Sequence, residues 1–229
     1  MKVAASSSAH PITSFAGSYT LALEASTYAG SVAILCGSDV VVARDVEMGR
    51  RADEKLMPVV AECVATLPDG MRSVERIVCG AGPGSFTSLR IAASIAKGIC
   101  HARGIPLFEL SSLALIVAAS AGDQPGRYLV SLDAMRGESF AAIVEVGNDR
   151  KIAAAVPFEI VEASTLAEKA RGAGAELLPG APHAAGVARM LGSVLDRGPV
   201  DLAAWEPDYG RAAEAQVRWE AANGRPLPR

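Results

Sequence analysis

Apolar residues near the start of the chain run together in short stretches, which is typical of strands. Three such stretches predict strands over Tyr19–Glu24, Ser31–Cys36 and Val40–Val46. The residues 37–39 between the last two, Gly-Ser-Asp, predict a tight hairpin. From Asp53 to Thr66 the apolar residues recur at three- and four-residue steps instead, which predicts a helix.

A glycine-rich loop, Gly80–Ser85, follows the next strand and leads into a long helix. The elements predicted in this part of the chain are a strand over 74–79, a helix from about 89 to 103, a short strand over 107–110 and a helix over about 112–121. Gly104 and Pro106 are expected to end the first of these helices, and Ser111 is expected to cap the second.

The order of elements then repeats, which indicates a duplicated α/β fold. A strand over 127–132 ends in Asp133 as the first strand ends in Glu24, and strands over 138–146 and 152–160 and a helix over 164–171 are predicted after it. This order predicts two ribonuclease-H-like lobes of the actin-like ATPase (ASKHA) superfamily, with mixed sheets flanked by helices. The expected divisions are a mobile tail over 1–18, an N-terminal lobe over 19–121 and a C-terminal lobe over 122–229, whose last helix is expected to pack back on the first lobe.

Composition narrows the kind of partner the chain can bind. Of its 229 residues 50% are hydrophobic and 21% are charged, so a sizeable core is expected. The net charge of −3 argues against direct binding of nucleic acid, which needs clustered Lys and Arg. The four cysteines show no C-x-x-C spacing and are expected to be buried thiols in a reducing cytoplasm. No apolar stretch approaches the ~20 residues that span a bilayer.

The glycine loop and two carboxylates carry the candidate chemistry. A strand, a glycine loop and a helix start can together bind an anion, but this loop lacks the Gly-Lys-Ser/Thr ending of a P-loop. Two interpretations remain open for Glu24 and Asp133: they hold a magnesium–nucleotide group between the lobes, or each braces a turn. The residues of such a degenerate nucleotide site would be Glu24, Ser26, Gly82, Gly84, Ser85 and Asp133.

Motifs for other chemistry are missing from the sequence. His10, His101 and His183 lack the paired spacing of a metal site, and neither H-E-x-x-H nor G-x-S-x-G occurs. The sequence therefore offers no nucleophile–base pair that would support a peptidase function. We predict neither a catalytic residue nor a metal ligand in this chain.

Several segments of the chain resemble the TsaB (YeaZ) family, subunits of the bacterial system that makes threonylcarbamoyladenosine in tRNA. The similar segments are Leu21–Thr27, Glu54–Pro58, Gly82–Arg90 with Ala96–Gly98, Leu132–Glu138 and Pro207–Arg211. The resemblance is good over residues 19–140 and thin elsewhere. The chain departs from the family where Glu24 replaces Asp, Ser88 replaces Gly and Ala52 replaces His.

This resemblance implies a non-catalytic partner subunit of the complex that transfers a threonylcarbamoyl group to the tRNA adenosine next to the anticodon. It implies TsaD as the partner in a heterodimer, TsaE as the recruited ATPase, a homodimer in isolation and contact with tRNA only through the complex. No intrinsic cofactor is implied, and ATP or ADP at the complex interface stays open. The alternative is a small actin-fold ATPase or kinase that binds Mg-nucleotide between its lobes.

The resemblance also implies a docking surface on the helices over 53–66 and 86–103. Its expected residues are Glu54, Leu56, Met57, Phe86, Thr87, Leu89, Arg90, Ala93 and Lys97. Structural roles remain open as alternatives to docking: Arg90 and Lys97 can belong to a solvated helix face, and Phe86 can fill the core of the lobe. Small residues such as Ala92, Ala93 and Ala96 would permit close approach of a second helix.

Overall fold

The computed structural model describes residues 18–48, 55–121, 124–211, 219 and 222–224. The expected tail, the family departure at Ala52 and the predicted interface residue Glu54 lie outside the described residues. So does most of the predicted last helix.

A five-stranded mixed sheet forms the first half of the molecule. Its strands are β1 (Tyr19–Glu24), β2 (Ala29–Cys36), β3 (Asp39–Glu47), β4 (Val74–Gly80) and β5 (Leu107–Leu110), in the order β3-β2-β1-β4-β5. The first three strands are antiparallel neighbours, and β4 and β5 run parallel to β1. The predicted hairpin is confirmed, and Gly37 occupies its left-handed position with φ of 59°. Strand β1 is the central strand of the sheet, and all six of its residues are buried.

Helices cover both faces of this sheet. They are α1 (Leu56–Val64), α2 (Phe86–Arg103) and α3 (Ser112–Ser120). The predicted end of α2 is confirmed, since Gly104 adopts φ of 64° and its N–H bonds the Cys100 carbonyl. The predicted cap of α3 is confirmed as well, because the Ser111 hydroxyl accepts from the Ala114 N–H. Helix α2 begins at Phe86, directly after Ser85, which is the start expected for the docking helix and lies three residues before the start that the apolar pattern predicts.

The second half contains a four-stranded sheet and two further helices. Its strands are β6 (Gly126–Met135), β7 (Glu138–Val146), β8 (Glu159–Glu162) and β9 (Glu176–Leu177), in the order β8-β7-β6-β9, and its helices are α4 (Leu166–Gly172) and α5 (Val187–Asp196). The mixed α/β architecture predicted from the element order is confirmed. The pattern did not reveal β9 or α5, where Ala and Gly blur the apolar spacing.

The predicted strand over 152–160 is wrong. Only Ile152 forms a bridge, to Val146, and regular pairing resumes at Glu159. The Ala154 carbonyl instead accepts from the Ser111 N–H at 2.7 Å, so this backbone bonds the start of α3 rather than a neighbouring strand. Pro157 also lacks the N–H that a paired strand would need.

Two apolar clusters hold the fold together. One lies between the first sheet and helices α1 and α2, where Ala92, Ala93 and Ala96 pack against the strands. The other joins both sheets through α3, whose side chains from Leu113 to Ala118 are all buried. A helix that is apolar on every side must be covered on every side. Helix α3 therefore makes one continuous core out of the two sheets.

Cysteines belong to the packing of the first sheet. Cys63, Cys79 and Cys100 are buried, while Cys36 is half-buried, and none forms a disulfide. Burial raises the pKa of the Cys100 thiol to about 11. The thiols of Cys63 and Cys79 also have raised pKa values for the same reason. Within the described residues, no helix is both long and apolar enough to cross a membrane.

Close packing of α2 on the sheet gives the first prediction. Ala96 is fully buried, whereas Ser94 on the same helix is exposed. We expect Ala96→Leu to lower the free energy of unfolding by about 1–3 kcal/mol, because the added methyl groups must displace the helix from the strands. Ser94→Leu is the matched control and should change stability by no more than about 0.5 kcal/mol. Urea denaturation measures both, and equal effects would contradict the packing described.

Candidate functional site: the cleft beside the glycine loop

A cleft of about 1180 Å³ lies between the two sheets, next to the glycine loop. The turn after β1, the first turn of α2, the β6–β7 hairpin and the chain around residue 210 form its walls. The residues that line it include Ser26–Tyr28, Gly84–Thr87, Leu132–Arg136 and Tyr209–Arg211. Its volume is sufficient for a small-molecule ligand. The predicted nucleotide-site residues Ser26, Gly84, Ser85 and Asp133 all line this cleft.

Glu24 lies beneath the cleft and does not reach it. Its side chain is fully buried, and its carboxylate oxygens accept hydrogen bonds from the Ser26 N–H at 2.6 Å and the Ser112 hydroxyl at 2.9 Å. Burial raises the pKa of the Glu24 carboxyl, against the opposing effect of the hydrogen bonds from Ser26 and Ser112. Glu24 therefore braces the turn after β1 and ties it to the start of α3.

Internal partners occupy three backbone N–H groups of the glycine loop. The Ala81 N–H donates to the Leu110 carbonyl at 2.8 Å, and the Ser85 N–H donates to the Ser26 carbonyl at 2.7 Å. The Gly82 N–H donates to the Ser112 hydroxyl at 3.2 Å. A phosphate cradle needs several N–H groups that point together at the ligand. These three N–H groups are bonded within the fold.

Glycines of the loop permit close contact with the protein itself. A Cβ on Gly80 would lie 2.0 Å from Oε2 of Glu24, and one on Gly84 would lie 2.1 Å from the Ser26 carbonyl oxygen. The close contacts at Gly80 and Gly84 are therefore with other parts of the same chain. Ser88, which stands where the family has Gly, is buried with its hydroxyl 3.1 Å from that of Ser85.

Asp133 sits at the exposed end of the β6–β7 hairpin. Its carboxylate accepts from the Met135 N–H at 2.7 Å, a bond that stabilises the tight turn in which Met135 and Arg136 have positive φ. Asp133 thus braces a turn as Glu24 does. Across the residues that the structure describes, no group of three or more His, Cys, Asp and Glu side chains could hold a metal ion.

The predicted docking residues divide into buried and exposed sets. Leu56, Leu89 and Ala93 are buried, so their assignment to a docking surface is wrong; Leu56 and Ala93 belong to the core of the first sheet, and Leu89 lies next to Gly82 of the glycine loop. Leu56 and Leu89 have no accessible surface and Ala93 has only 5%, which leaves almost nothing for a partner to contact. Helical spacing shows which residues share a face of the helix. The small alanines were expected to face a partner helix, but they face the sheet.

Met57, Phe86, Thr87 and Arg90 are exposed. We group these four residues, which lie in the first turns of α1 and α2, under the name helix-start face. Lys97 is half-buried farther along α2, and its ammonium group donates to the Trp205 carbonyl at 2.8 Å. Lys97 therefore holds the C-terminal part of the chain rather than a solvated face.

Sequence reasoning missed an apolar rim around the cleft. Tyr28, Met135 and Ile160 are exposed large side chains that line the cleft together with Phe86. The Tyr209 ring packs on that of Phe86 with centroids 4.4 Å apart. The segment Pro207–Arg211 was noted as a motif, but nothing in its own sequence indicates that it folds over the glycine loop.

Comparison with known proteins identifies the fold. The structure superposes on YeaZ from Pseudomonas aeruginosa with a TM-score of 0.69 at 22% identity, covering 84% of this chain and 99% of that one. A second structure, described as a protein with similarity to peptidase YEAZ from the same organism, gives a TM-score of 0.70 at 23% identity over 85% of this chain and 100% of that one. The chain therefore has the same fold as these two structures.

Sequence comparison identifies the family. The family model described as TsaD, tRNA N6-adenosine threonylcarbamoyltransferase, matches residues 46–175, more than half of the chain. The TsaB protein of Haemophilus influenzae is 31% identical over 52% of this chain and 51% of its own length, and an uncharacterised protein of Mycobacterium tuberculosis is 35% identical over 55% and 58%. The chain spans about half the length of the curated relatives it matches. It belongs to the family that this model describes, and its similarity to TsaB proteins confirms the resemblance that the motifs predicted.

The contact between Gly80 and Glu24 gives a stability prediction. Gly80→Ala should lower the free energy of unfolding by about 2–3 kcal/mol, because the added methyl group would overlap the buried Glu24 carboxylate. Gly98→Ala on α2 is the matched control: its Cβ would meet nothing within 4 Å, and the change should be neutral or stabilising. Thermal and urea denaturation measure both variants. A Gly80→Ala protein as stable as the wild type would refute the contact.

Burial of Glu24 gives a pH prediction. A carboxyl whose pKa is higher in the folded chain binds more protons when folded, so stability falls as pH rises above its unfolded pKa, near 4.5. Glu24→Gln removes this titration, and its amide can still accept from the Ser26 N–H. We expect the stability of the wild type relative to Glu24→Gln to decrease from about pH 4.5 upward, until the raised pKa is passed. Urea denaturation over a pH series measures it, and parallel profiles would contradict the assignment.

Proposed function

We propose that this chain is a non-catalytic partner subunit in the bacterial synthesis of threonylcarbamoyladenosine in tRNA. In this role it binds a TsaD subunit, stabilises it and activates it together with TsaE. The relatives from Haemophilus influenzae and Escherichia coli are named as tRNA threonylcarbamoyladenosine biosynthesis proteins, which supports the pathway. The reaction with the tRNA adenosine would take place in TsaD.

The proposed non-catalytic role rests on one observation: N–H groups of the glycine loop already bond acceptors within the protein. In an actin-like ATPase the loop groups and a carboxylate at the end of β1 would have to face the nucleotide phosphates. Here the N–H groups of Ala81, Gly82 and Ser85 bond the protein itself, and Glu24 is buried beneath them. Opening these groups to a nucleotide would break buried hydrogen bonds, each of which leaves a costly unpaired partner. The arrangement favours a docking subunit over an ATPase or kinase.

The helix-start face supplies the proposed contact with TsaD. Phe86 offers an exposed aromatic ring, Arg90 a cation on the next helical turn, and Met57 an adaptable apolar side chain on the neighbouring helix. Aromatic residues, Met and Arg are the types enriched in protein interfaces. Farther along α2 the exposed positions are the small residues Ser94 and Gly98, which would let a partner helix approach closely. In isolation the same face would serve a homodimer.

The net charge of −3 fits a subunit that meets tRNA only through its partner. We propose that the chain has no cofactor of its own and is located in the cytoplasm. Any ATP or ADP would be bound at the interface with TsaD rather than in the cleft of this chain.

Reconstitution tests the proposal. Purified TsaD and TsaE, with the threonylcarbamoyl donor and tRNA, should modify tRNA much faster when this chain is added. Arg90→Glu should weaken binding to TsaD about tenfold, because it reverses a charge inside the docking surface. Arg171→Glu on α4 makes the same charge change at an exposed position on the second sheet's side and should leave binding unchanged.

Two outcomes would overturn the proposal. The first is a threonylcarbamoylation rate that does not depend on this chain. The second is tight binding of Mg-ATP by the isolated chain in calorimetry, with turnover, which would favour the actin-fold ATPase or kinase.

A further inference from the structure

A segment after α5 runs from the first sheet across the glycine loop to the second sheet. We call residues 199–211 the C-terminal strap. It starts beside the edge strand of the first sheet, where the Val200 N–H donates to the Leu107 carbonyl at 2.9 Å. Trp205 is buried in the core of the same sheet, and its indole N–H donates to the Glu109 carboxylate. The first part of the strap is thus fastened to the first lobe.

The middle of the strap lies directly on the glycine loop. The Asp208 N–H donates to the Ala81 carbonyl at 2.8 Å. A Cβ on Gly82, whose φ is 90°, would lie only 2.3 Å from the Asp208 carbonyl oxygen. Only glycine permits this backbone-to-backbone contact. The loop is therefore fitted to the strap as closely as to its own lobe.

One residue farther on, the strap reaches the helix-start face. The Tyr209 ring packs against Phe86 at a tilt of 42°, and the Arg90 guanidinium lies 5.5 Å from the centroid of the same Phe86 ring. Phe86 thus has an aromatic ring and a cation as neighbours, and both are favourable contacts for its π system. Without Tyr209, the Phe86 side chain would be free to change rotamer at the rim of the cleft.

The end of the strap is fastened to the second lobe. Gly210, with φ of 72°, lies against the Phe140 ring, where a Cβ would be 2.4 Å from a ring carbon. The Arg211 guanidinium donates to the Glu138 carboxylate at the start of β7. Both side chains are about one-third exposed, at 33% and 39%, so solvent only partly screens this ion pair.

We propose that the C-terminal strap is a latch that sets the orientation of Phe86 and Arg90 for the partner, with Arg211 as a positioning residue that acts from the second lobe. The proposal rests on the proposed function, because it assigns the helix-start face to a protein partner. The latch works through a short chain of contacts: Glu138 holds Arg211, Arg211 fixes Tyr209 two residues before it, and Tyr209 fixes Phe86.

Charge exchange across the ion pair tests the latch. Arg211→Glu and Glu138→Arg should each speed amide hydrogen exchange at residues 81–90 in the full-length chain and weaken TsaD binding about tenfold. The double variant restores the ion pair with its charges exchanged and should recover both properties. Arg127→Glu is the matched control, since Arg127 pairs with Glu145 across the same two strands, β6 and β7. It should alter neither exchange at 81–90 nor binding.

The outcomes separate this inference from the proposed function. Hydrogen exchange needs no partner, so unchanged exchange at 81–90 in both single variants overturns the latch whatever TsaD does. If Phe86→Ala weakens TsaD binding but Arg211→Glu does not, the docking face stands and the latch fails. If Phe86→Ala leaves binding unchanged, the helix-start face is not the docking surface, and if the wild-type chain does not bind TsaD, the proposed function fails; in both cases the exchange data still decide whether Arg211 is coupled to residues 81–90. Should Arg211→Glu fail to fold, Glu138→Gln breaks the same ion pair without reversing a charge.

Discussion

The buried carboxyl group of Glu24 joins three parts of the molecule that meet at the cleft. It accepts from the turn after β1 through Ser26 and from the start of α3 through Ser112, and the Ser112 hydroxyl in turn accepts from the Gly82 N–H of the glycine loop. A buried carboxyl is costly unless it is hydrogen-bonded, and its raised pKa lowers the cost by favouring the neutral form. The network is satisfied internally, which leaves the loop little freedom to adopt another shape.

This network shows that a loop whose sequence resembles an anion site serves to connect parts of the fold. The sequence features of a phosphate cradle are glycines between a strand and a helix, and the same features serve any place where backbones must approach closely. Gly80 meets the Glu24 side chain, Gly82 meets the strap, and Gly84 meets the Ser26 carbonyl. An anion site and a close backbone contact differ in the acceptor that each loop N–H bonds, and the sequence does not show which acceptor that is.

Much of the fold could be predicted because its signals are local. The hairpin at Gly37, the end of α2 at Gly104 and the cap at Ser111 are each decided by one residue's backbone preference or side-chain oxygen. The course of residues 152–158 could not be predicted, because their backbone bonds the start of α3, more than 40 residues earlier in the chain. The burial of Leu89 and Ala93 depends in the same way on which side of α2 meets the sheet. Alanine fits either side.

The shared core and the strap together bear on how the two lobes can move. Enzymes that close over a ligand need hinge residues that absorb the change, with few contacts elsewhere between the moving parts. Here α3 packs against both sheets, and the strap adds backbone contacts on the glycine loop and an ion pair on β7. Closing or opening the cleft would break packed contacts on both sides of it. A chain that presents a fixed surface to a partner gains from this rigidity, since a preorganised surface loses less entropy on binding.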